Sequence, residues 1–520
     1  MKTKKRILIP ILFALFLFSD LPAKTIKGTV FLDLNKNLKL DKGEPGIPNV
    51  LVSNQVDVVQ TDEKGRYKLK VYEECVFFIT KPSGYETPID ENNLSKFYYI
   101  HRPTGSPQFV YETVEPTGKL PKKLNFPLFK TEEPDTFKVV IMGDPQPRND
   151  EQIDYLRDDI VAELADTDAQ FAVALGDIMF DNLSLFDRYK RVMRKIAVPC
   201  YNVAGNHDRN YDAIDDIHSL ETFISHFGPP YYSFNYGKVH FIILDDVEHF
   251  IQDGEAKYRG KLGKKQLTWL QNDLQFVDPG DLVVIMMHIP LYWLEDEKEQ
   301  KLNIQNGDRL LEILQEKKYL LALAGHTHMI QHNYIDDGLG FMGENPIHNI
   351  VCATACGAWW RGPKDERGIP VSPMQDGAPN GYHIFEFKGN RFSERFKPAH
   401  RDDNFQMRIF SPGGKIMSDE LTGRKIIVNV FDGGEKSEVL YKIDDFPERK
   451  MKQTPMKDPY MDDLLEMTIN ENSKIKPRLT HHIWTAPIED ELSVGVHKLL
   501  VVTKDQFGQV FKATKIFEIE

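Results

Sequence analysis

Cysteine is scarce in this 520-residue chain: only Cys75, Cys200, Cys352 and Cys356 occur. Their spacing gives no C-x-x-C pair and no disulfide framework, which excludes a small stapled scaffold. Cys200 and Cys352 lie in apolar stretches and read as small buried residues; a Cys352–Cys356 bridge is not expected. Positive charge is short as well. A formal net charge of -13 leaves no basic footprint for a nucleic-acid backbone. It does not exclude a small phosphorylated substrate, because bound cations can supply positive charge locally. Long apolar runs are missing except for ILIPILFALFLF at 7–18, which falls short of the roughly 20 residues that span a bilayer. Internal repeats and low-complexity tracts are absent too.

That single apolar run has a context. Lys2, Lys4, Lys5 and Arg6 precede it, and SDLPA follows, ending at Ala23. A basic start, a short apolar run and a small residue form the pattern of a secretory signal peptide at residues 1–23. Export to the periplasm, the cell surface or the medium is expected, with cleavage near Ala23 and no transmembrane segment in the mature chain. No cysteine follows the run, which argues against a lipoprotein anchor.

What remains is an ordinary globular composition, 41% hydrophobic and 28% charged, and long enough for two to four domains. Residues 24–130 carry short alternating runs (GTVFLDLN, NVLVSNQ, GRYKLKVY, CVFFIT) broken by Gly, Pro, Asn and Asp, the pattern of an all-β module. TEEPD (131–135) reads as a linker. From 136 to 400 near-continuous apolar strands alternate with amphipathic helices, which predicts an α/β layered core. Residues 401–520 return to β signals, with DQFGQ as a hairpin turn, and a small mostly-β domain is expected.

The strands of the middle segment end alike. FKVVIMGD stops at Asp144, with Gln146 two positions on; QFAVALGD stops at Asp177; YNVAGNHD delivers Asn206, His207 and Asp208. LVVIMMHIP gives His288, and LALAGHTH gives His326 and His328. In α/β sheets the chemistry lies beyond the strand C-termini. A lone Gly-Asp is usually a turn and a lone buried histidine usually a core residue. Five such ends on one sheet rim are costly to desolvate unless divalent cations sit among them.

The series resembles the calcineurin-like metallophosphoesterase superfamily, whose pattern is D-x-H, G-D, G-N-H-[DE], a lone H, and G-H-x-H. The resemblance covers about residues 137–330. Residues 349–364 and 376–387 resemble segments of exported bacterial members with extra domains on both sides. The resemblance implies a four-layer sandwich of sheets and helices at 136–400, between an N-terminal module like the immunoglobulin and collagen-adhesin B-type folds and a C-terminal β domain. It implies two divalent cations (Mn, Fe, Zn or Mg), one held by Asp144, Gln146 and His328, the other by Asn206, His288 and His326, with Asp177 between them. It further implies that the cations activate a hydroxide against a phosphate mono- or diester. His207 would then serve as general acid or transition-state stabiliser, oriented by Asp208.

One position departs from the pattern. Gln146 stands where the family usually has histidine, and an amide oxygen is a neutral, weaker ligand. Three outcomes follow: an oxygen-richer first site, a weaker site preferring Mn, Fe or Mg, or a Gln146 that does not coordinate.

Substrate candidates lie near these motifs: Arg209 and Tyr211 after GNHD, then Trp359, Trp360, Arg361, Asp376, Asn380 and Tyr382. Aromatics beside arginine suit a base, a sugar or a phosphate, in a small or a lipid- or glycan-linked phosphoester; packing under a loop explains the Trp pair equally well. A second metal pattern occupies 33–44. Asp33, Asn35, Asn37, Asp41 and Glu44 fall at positions 1, 3, 5, 9 and 12 of a calcium loop, with the Lys39 carbonyl at 7, although the usual glycine is Leu38. A solvated Asn/Asp turn is the plainer alternative. This motivates a rival reading, an exported calcium-stabilised binding or scaffold protein with a degenerate phosphoesterase centre.

Overall fold

A computed structural model describes residues 24–294, 301–421, 423–467, 475–489 and 491–520. The expected signal peptide lies outside the described residues. No helix among those described is long and apolar enough to cross a membrane.

The strand–helix alternation of 136–400 builds two sheets. One has five strands, in the order Cys200–Asn202, Phe171–Ala174, Thr136–Met142, Gly381–Lys388, Arg391–Pro398. Its first three strands are parallel, and the last two join antiparallel. The other has six, in the order Tyr232–Tyr236, Val239–Ile243, Leu282–Met286, Tyr319–Ala324, Ile347–Val351, Gln331–Ile335. Its four inner strands are parallel.

Period-two alternation sorts each strand's side chains to two faces. Val139, Ile141, Phe171 and Val173 join a core with Phe241, Ile243 and Val284 of the other sheet. Val140, Met142, Ala172 and Ala174 instead lie with residues of the helices Asp150–Leu156, Phe186–Met193 and Glu221–Phe227. The helices Lys264–Leu274 and Gly307–Leu314 give Leu267, Trp269, Leu310 and Leu314 to the first core. Each buried side chain of this kind contributes roughly 1.5–3 kcal/mol, so strand ends can carry strained polar loops without losing the fold.

The N-terminal segment forms two four-stranded sheets, Arg66–Lys70, Thr25–Leu32, Phe126–Lys130, Tyr85–Glu86 and Val58–Gln60, Leu51–Ser53, Cys75–Thr80, Tyr98–His101. Its core is continuous with that of the central sheets. The Phe78 ring meets Trp269 edge-on at 5.9 Å, and Lys81 bridges to Phe234 in parallel. Arg102 forms a buried ion pair with Glu221 at 2.8 Å. Within the expected linker, Glu133 is buried against Lys81 at 2.9 Å.

The C-terminal segment has its own core between a four-stranded and a five-stranded sheet. The DQFGQ turn joins Gly495–Lys504 to Val510–Ile519 as an antiparallel hairpin. The helix Pro459–Met467 interrupts the β pattern. All four cysteines are free and buried.

Candidate metal centre

The five strand ends meet. Asp144, Gln146, Asp177, His326 and His328 all take left-handed backbone conformations, with φ of 40, 45, 47, 72 and 53°. Each such non-glycine residue costs on the order of 1–3 kcal/mol and persists where its surroundings dictate it. The glycines of the motifs have a different task, close approach. A Cβ on Gly205 would lie 2.1 Å from the Asp177 backbone nitrogen, and one on Gly325 would lie 2.5 Å from Asp144 Oδ2.

Asp177 sits at the middle. Its Oδ1 accepts from the backbone N–H of His207 at 2.9 Å and lies 3.2 Å from His288 Nε2. Its Oδ2 accepts from the Gln146 amide at 2.9 Å. His288 Nε2 is also 3.1 Å from Asn206 Oδ1 and 3.1 Å from His326 Nδ1. The His288 Nδ1–H donates to the Leu175 carbonyl at 2.9 Å, which turns Nε2 inward, where a cation would take the place of its proton. His328 repeats the device: its Nδ1–H donates to the Gly357 carbonyl, and its Nε2 lies 3.7 Å from Asp144 Oδ1. A histidine whose outer nitrogen is tied to a carbonyl is oriented as metal-binding imidazoles are.

Asp144 supplies the sharpest test of a cation. Its Oδ2 accepts from the His326 N–H at 2.8 Å, while its buried Oδ1 has no hydrogen-bond partner. Burial raises the Asp144 carboxyl to about 7, Asp177 adding to the rise and His288 opposing it. Burial opposes charge on His288, yet Asp177 and Asp144 push it up to about 10. Burial lowers His326 to about 3 and His328 to about 4, with His288 adding to both reductions. Asp177 stays well below the usual carboxylate range because His288 and His207 outweigh its burial. Carboxylates and imidazoles pulling against one another in this way fit a site for divalent cations. The ligand atoms of Asp177, His288 and His326 lie within 4.8 Å of one another.

Gln146 is buried in this cluster. Its amide group donates to Asp177, and its Oε1 faces Cys356 Sγ at 3.8 Å. In this orientation Gln146 positions Asp177, and coordination through its oxygen requires the amide to turn over.

His207 stacks on Phe180 with ring centroids 4.2 Å apart. Its Nδ1 is bonded to Asp181 Oδ1 at 2.6 Å. Burial lowers its basicity, but Asp177 and Asp181 outweigh that and raise its pKa. Asp208 does not hold the imidazole. Its carboxylate accepts the backbone N–H groups of Gly205, Ile178 and Met179 at 2.8, 3.0 and 3.0 Å, tying two ligand loops together. The residue that orients His207 is therefore Asp181, at a turn that carries no motif. Asp246 was also missed: it accepts the N–H groups of His288 and Ile289 at 3.2 and 3.0 Å. It ends the strand run HFIILDD, so the strand-end rule applied to the other motifs would have found it.

Most of the expected substrate residues serve the fold. Arg209 is buried against Ser219, Asp216 and Asp245. Tyr211 donates to the Asn206 carbonyl at 2.7 Å, and Trp360 Nε1 donates to the Pro145 carbonyl at 2.9 Å. Asp376 accepts from Ile330 and Ala378, Asn380 donates to Asp159 and to the Ala355 carbonyl, and Tyr382 lies in the core beneath the helices. Trp359 and Arg361 do reach the site. They line a cavity of about 460 Å³ with Arg148, Phe180, His207, Trp293, His326, Thr327, Gln375, Lys476 and Arg478. Among the described residues no carboxylate lines it. Arg148 stacks over Phe180 at 3.8 Å, Arg361 faces Trp359 at 5.7 Å and Arg478 faces Trp293 at 5.4 Å.

The 33–44 loop folds around its own backbone. Asp33 accepts from the N–H groups of Asn37 and Leu38, Glu44 from those of Leu34 and Asp41, while the amides of Asn35 and Asn37 both donate to Asp41. Leu38 takes the left-handed conformation, φ 64°, where calcium loops carry glycine.

Three family models match the chain. Residues 137–329 match the calcineurin-like phosphoesterase model, residues 35–113 the model for the N terminal of calcineurin-like phosphoesterase, and residues 348–511 that for its C terminal. Solved structures similar to it include a dimetal phosphatase from Danio rerio, at 16% identity and TM-score 0.36, covering 50% of this chain and 96% of that one. A purple acid phosphatase from yellow lupin (Lupinus luteus) seeds aligns at 13% identity and TM-score 0.31, covering 91% of this chain and 69% of that one. No curated protein matches the sequence.

Proposed function

The chain belongs to the calcineurin-like phosphoesterases, a phosphoric ester hydrolase with family-specific segments on both sides of its catalytic region, and from that premise we propose how its residues divide the work. Asp144, His328 and, after its amide turns, Gln146 hold one divalent cation; Asn206, His288 and His326 hold the second, with Asp177 between them. When bound, the two cations generate the nucleophile and neutralise charge at phosphorus. The observation that carries this reading is the buried Asp144 Oδ1 without a partner, beside Asp177 and three inward-facing imidazoles.

His207 stands where the metal centre opens into the cavity. Its Nε2 holds the proton that the departing ester oxygen needs, while Asp181 fixes the ring through Nδ1. Arg148, Arg361, Lys476 and Arg478 make the cavity mouth cationic in an otherwise acidic chain. That supports a small or glycan- or lipid-linked phosphoester bearing negative charge beyond the scissile phosphate. Trp293 and Trp359 offer flat surfaces for a base or sugar. Export, read from residues 1–23, is part of the proposal.

The test is hydrolysis of p-nitrophenyl phosphate and bis(p-nitrophenyl) phosphate by the full chain, with and without metal removal. Chelation should abolish turnover and added Mn²⁺ or Zn²⁺ should restore it. On phenyl phosphate, whose poorer leaving oxygen needs the proton, His207→Ala should lower kcat by about 10²–10⁴-fold with metal content unchanged. Wild-type rates after complete metal removal would overturn the reading.

A further inference from the structure

A second cluster of metal-ligating side chains lies away from the catalytic rim, at the sheets' lateral edges. His332 is on Gln331–Ile335, the edge strand of the six-stranded sheet, and Glu394 is on Arg391–Pro398, the edge strand of the five-stranded sheet. Asp432 follows the C-terminal strand Lys425–Val430. His332 Nε2 is 2.8 Å from Asp432 Oδ1 and 3.7 Å from Glu394 Oε1. The ligand atoms of all three lie within 4.8 Å of one another.

We propose that His332, Glu394 and Asp432 bind one divalent transition-metal ion of the zinc class, which pins the C-terminal domain to the edges of both catalytic sheets. This goes beyond the catalytic reading and does not rest on it. Three features of the cluster carry the proposal. First, the set is one imidazole and two carboxylates, the nitrogen–oxygen mixture zinc and manganese accept, with room for water to complete the shell. Second, the His332, Glu394 and Asp432 side chains are 2, 2 and 13% exposed, and an oxygen of each carboxylate lies within 4.8 Å of the other. Two buried acids this close need a proton, a charged imidazole or a metal cation beside them, and His332 alone offers one charge for two carboxylates. Third, neighbouring imidazoles hold two of the ligand side chains in place. His348 Nε2 meets His332 Nδ1 at 3.0 Å, and His383 Nδ1 meets Glu394 Oε2 at 2.9 Å.

The ion would be structural. It joins side chains whose positions in sequence are far apart, and its removal would loosen the seam between domains rather than the phosphoester chemistry. The experiment is metal analysis by inductively coupled plasma mass spectrometry on full-length wild type, Asp432→Asn, His332→Gln and Asp177→Asn, each purified without chelator and equilibrated with Zn²⁺. Asp432→Asn and His332→Gln should each hold one equivalent of zinc less than wild type while hydrolysing p-nitrophenyl phosphate. Asp177→Asn, altered only in the catalytic centre, should keep anomalous scattering at the zinc edge beside His332. Equal zinc content in wild type and both seam variants would overturn the proposal. Should those variants fail to fold, wild-type crystals decide: an anomalous peak between His332 and Asp432 supports the site, and its absence at saturating zinc leaves a proton-sharing cluster instead.

Discussion

The Nδ1 of His207 is taken by Asp181 at 2.6 Å, so only Nε2 is free to serve a substrate oxygen. Asp177 and, after it, Asp181 keep the imidazole protonated to higher pH than a free one, against the effect of burial. A general acid works only while protonated, so the upper pH limit of kcat follows the His207 pKa. Asp181→Asn removes the charge and keeps the shape. The raised pKa then falls, and the alkaline decline of kcat should begin at lower pH than in wild type. At neutral pH kcat should drop by about 10-fold or more, with little change in KM. A kcat–pH profile of both proteins decides this: an unmoved alkaline limb would mean that Asp181 does not set the protonation of His207. Asp208, which serves three backbone amides, should behave differently, since its removal orphans buried donors at about 1–3 kcal/mol each and lowers stability before it alters a pH profile.

At the scale of the elements, the site is made by loops that stop strands abruptly, and their glycines allow the loops to touch. Gly205→Ala would place a Cβ 2.1 Å from the Asp177 backbone nitrogen, a contact that backbone must move to relieve. Activity should fall at least as far as for His207→Ala, and bound catalytic metal should fall with it, measured as metal per chain on protein whose circular dichroism matches wild type. Retained metal with full activity would show that the loops have slack. These loops were legible because a near-continuous apolar run ending in Gly-Asp or Gly-His is a strand end whatever surrounds it. Asp181 was not legible, since nothing in its neighbourhood distinguishes it from any polar turn residue. Arg209, Asp376 and Asn380 were misread for a related reason: a charged or polar residue near a motif looks free until its distant partners, Asp245, Ile330 and Asp159, are seen beside it. The cavity mouth was only half visible, because Arg148, Trp293 and Arg478 come from separate parts of the chain and none stands in a pattern.

Over the whole molecule, boundaries that look clean in the sequence are crossed by packing. The N-terminal sheets share one apolar core with the catalytic sheets, so Phe78→Ala, opening a cavity against Trp269, should cost about 3–5 kcal/mol. It should also lower the thermal transition of the catalytic region, read as loss of activity on heating in step with loss of ellipticity. An early melt of the N-terminal sheets alone, with activity intact, would contradict the shared core. The C-terminal segment reaches into function from the other side. Lys476 and Arg478 line the cavity above the metal centre together with Arg148 and Arg361 of the catalytic region, and this mouth sits in a chain whose formal charge is -13. A cationic mouth in an acidic chain attracts a substrate by its remote charge, and such an attraction acts on binding more than on the chemical step. Arg478→Ala should therefore raise KM by about 10-fold, roughly 1.4 kcal/mol, for a phosphoester whose leaving group carries a second phosphate. For p-nitrophenyl phosphate, whose leaving group has no further charge before cleavage, KM should stay within about two-fold. The difference between the two substrates should shrink as ionic strength rises, because a half-buried charge at an open mouth is still screened over about 10 Å at 0.1 M salt. Equal KM changes for both substrates, indifferent to salt, would show that Arg478 supports the Trp293 ring it faces and leaves remote substrate charge unread.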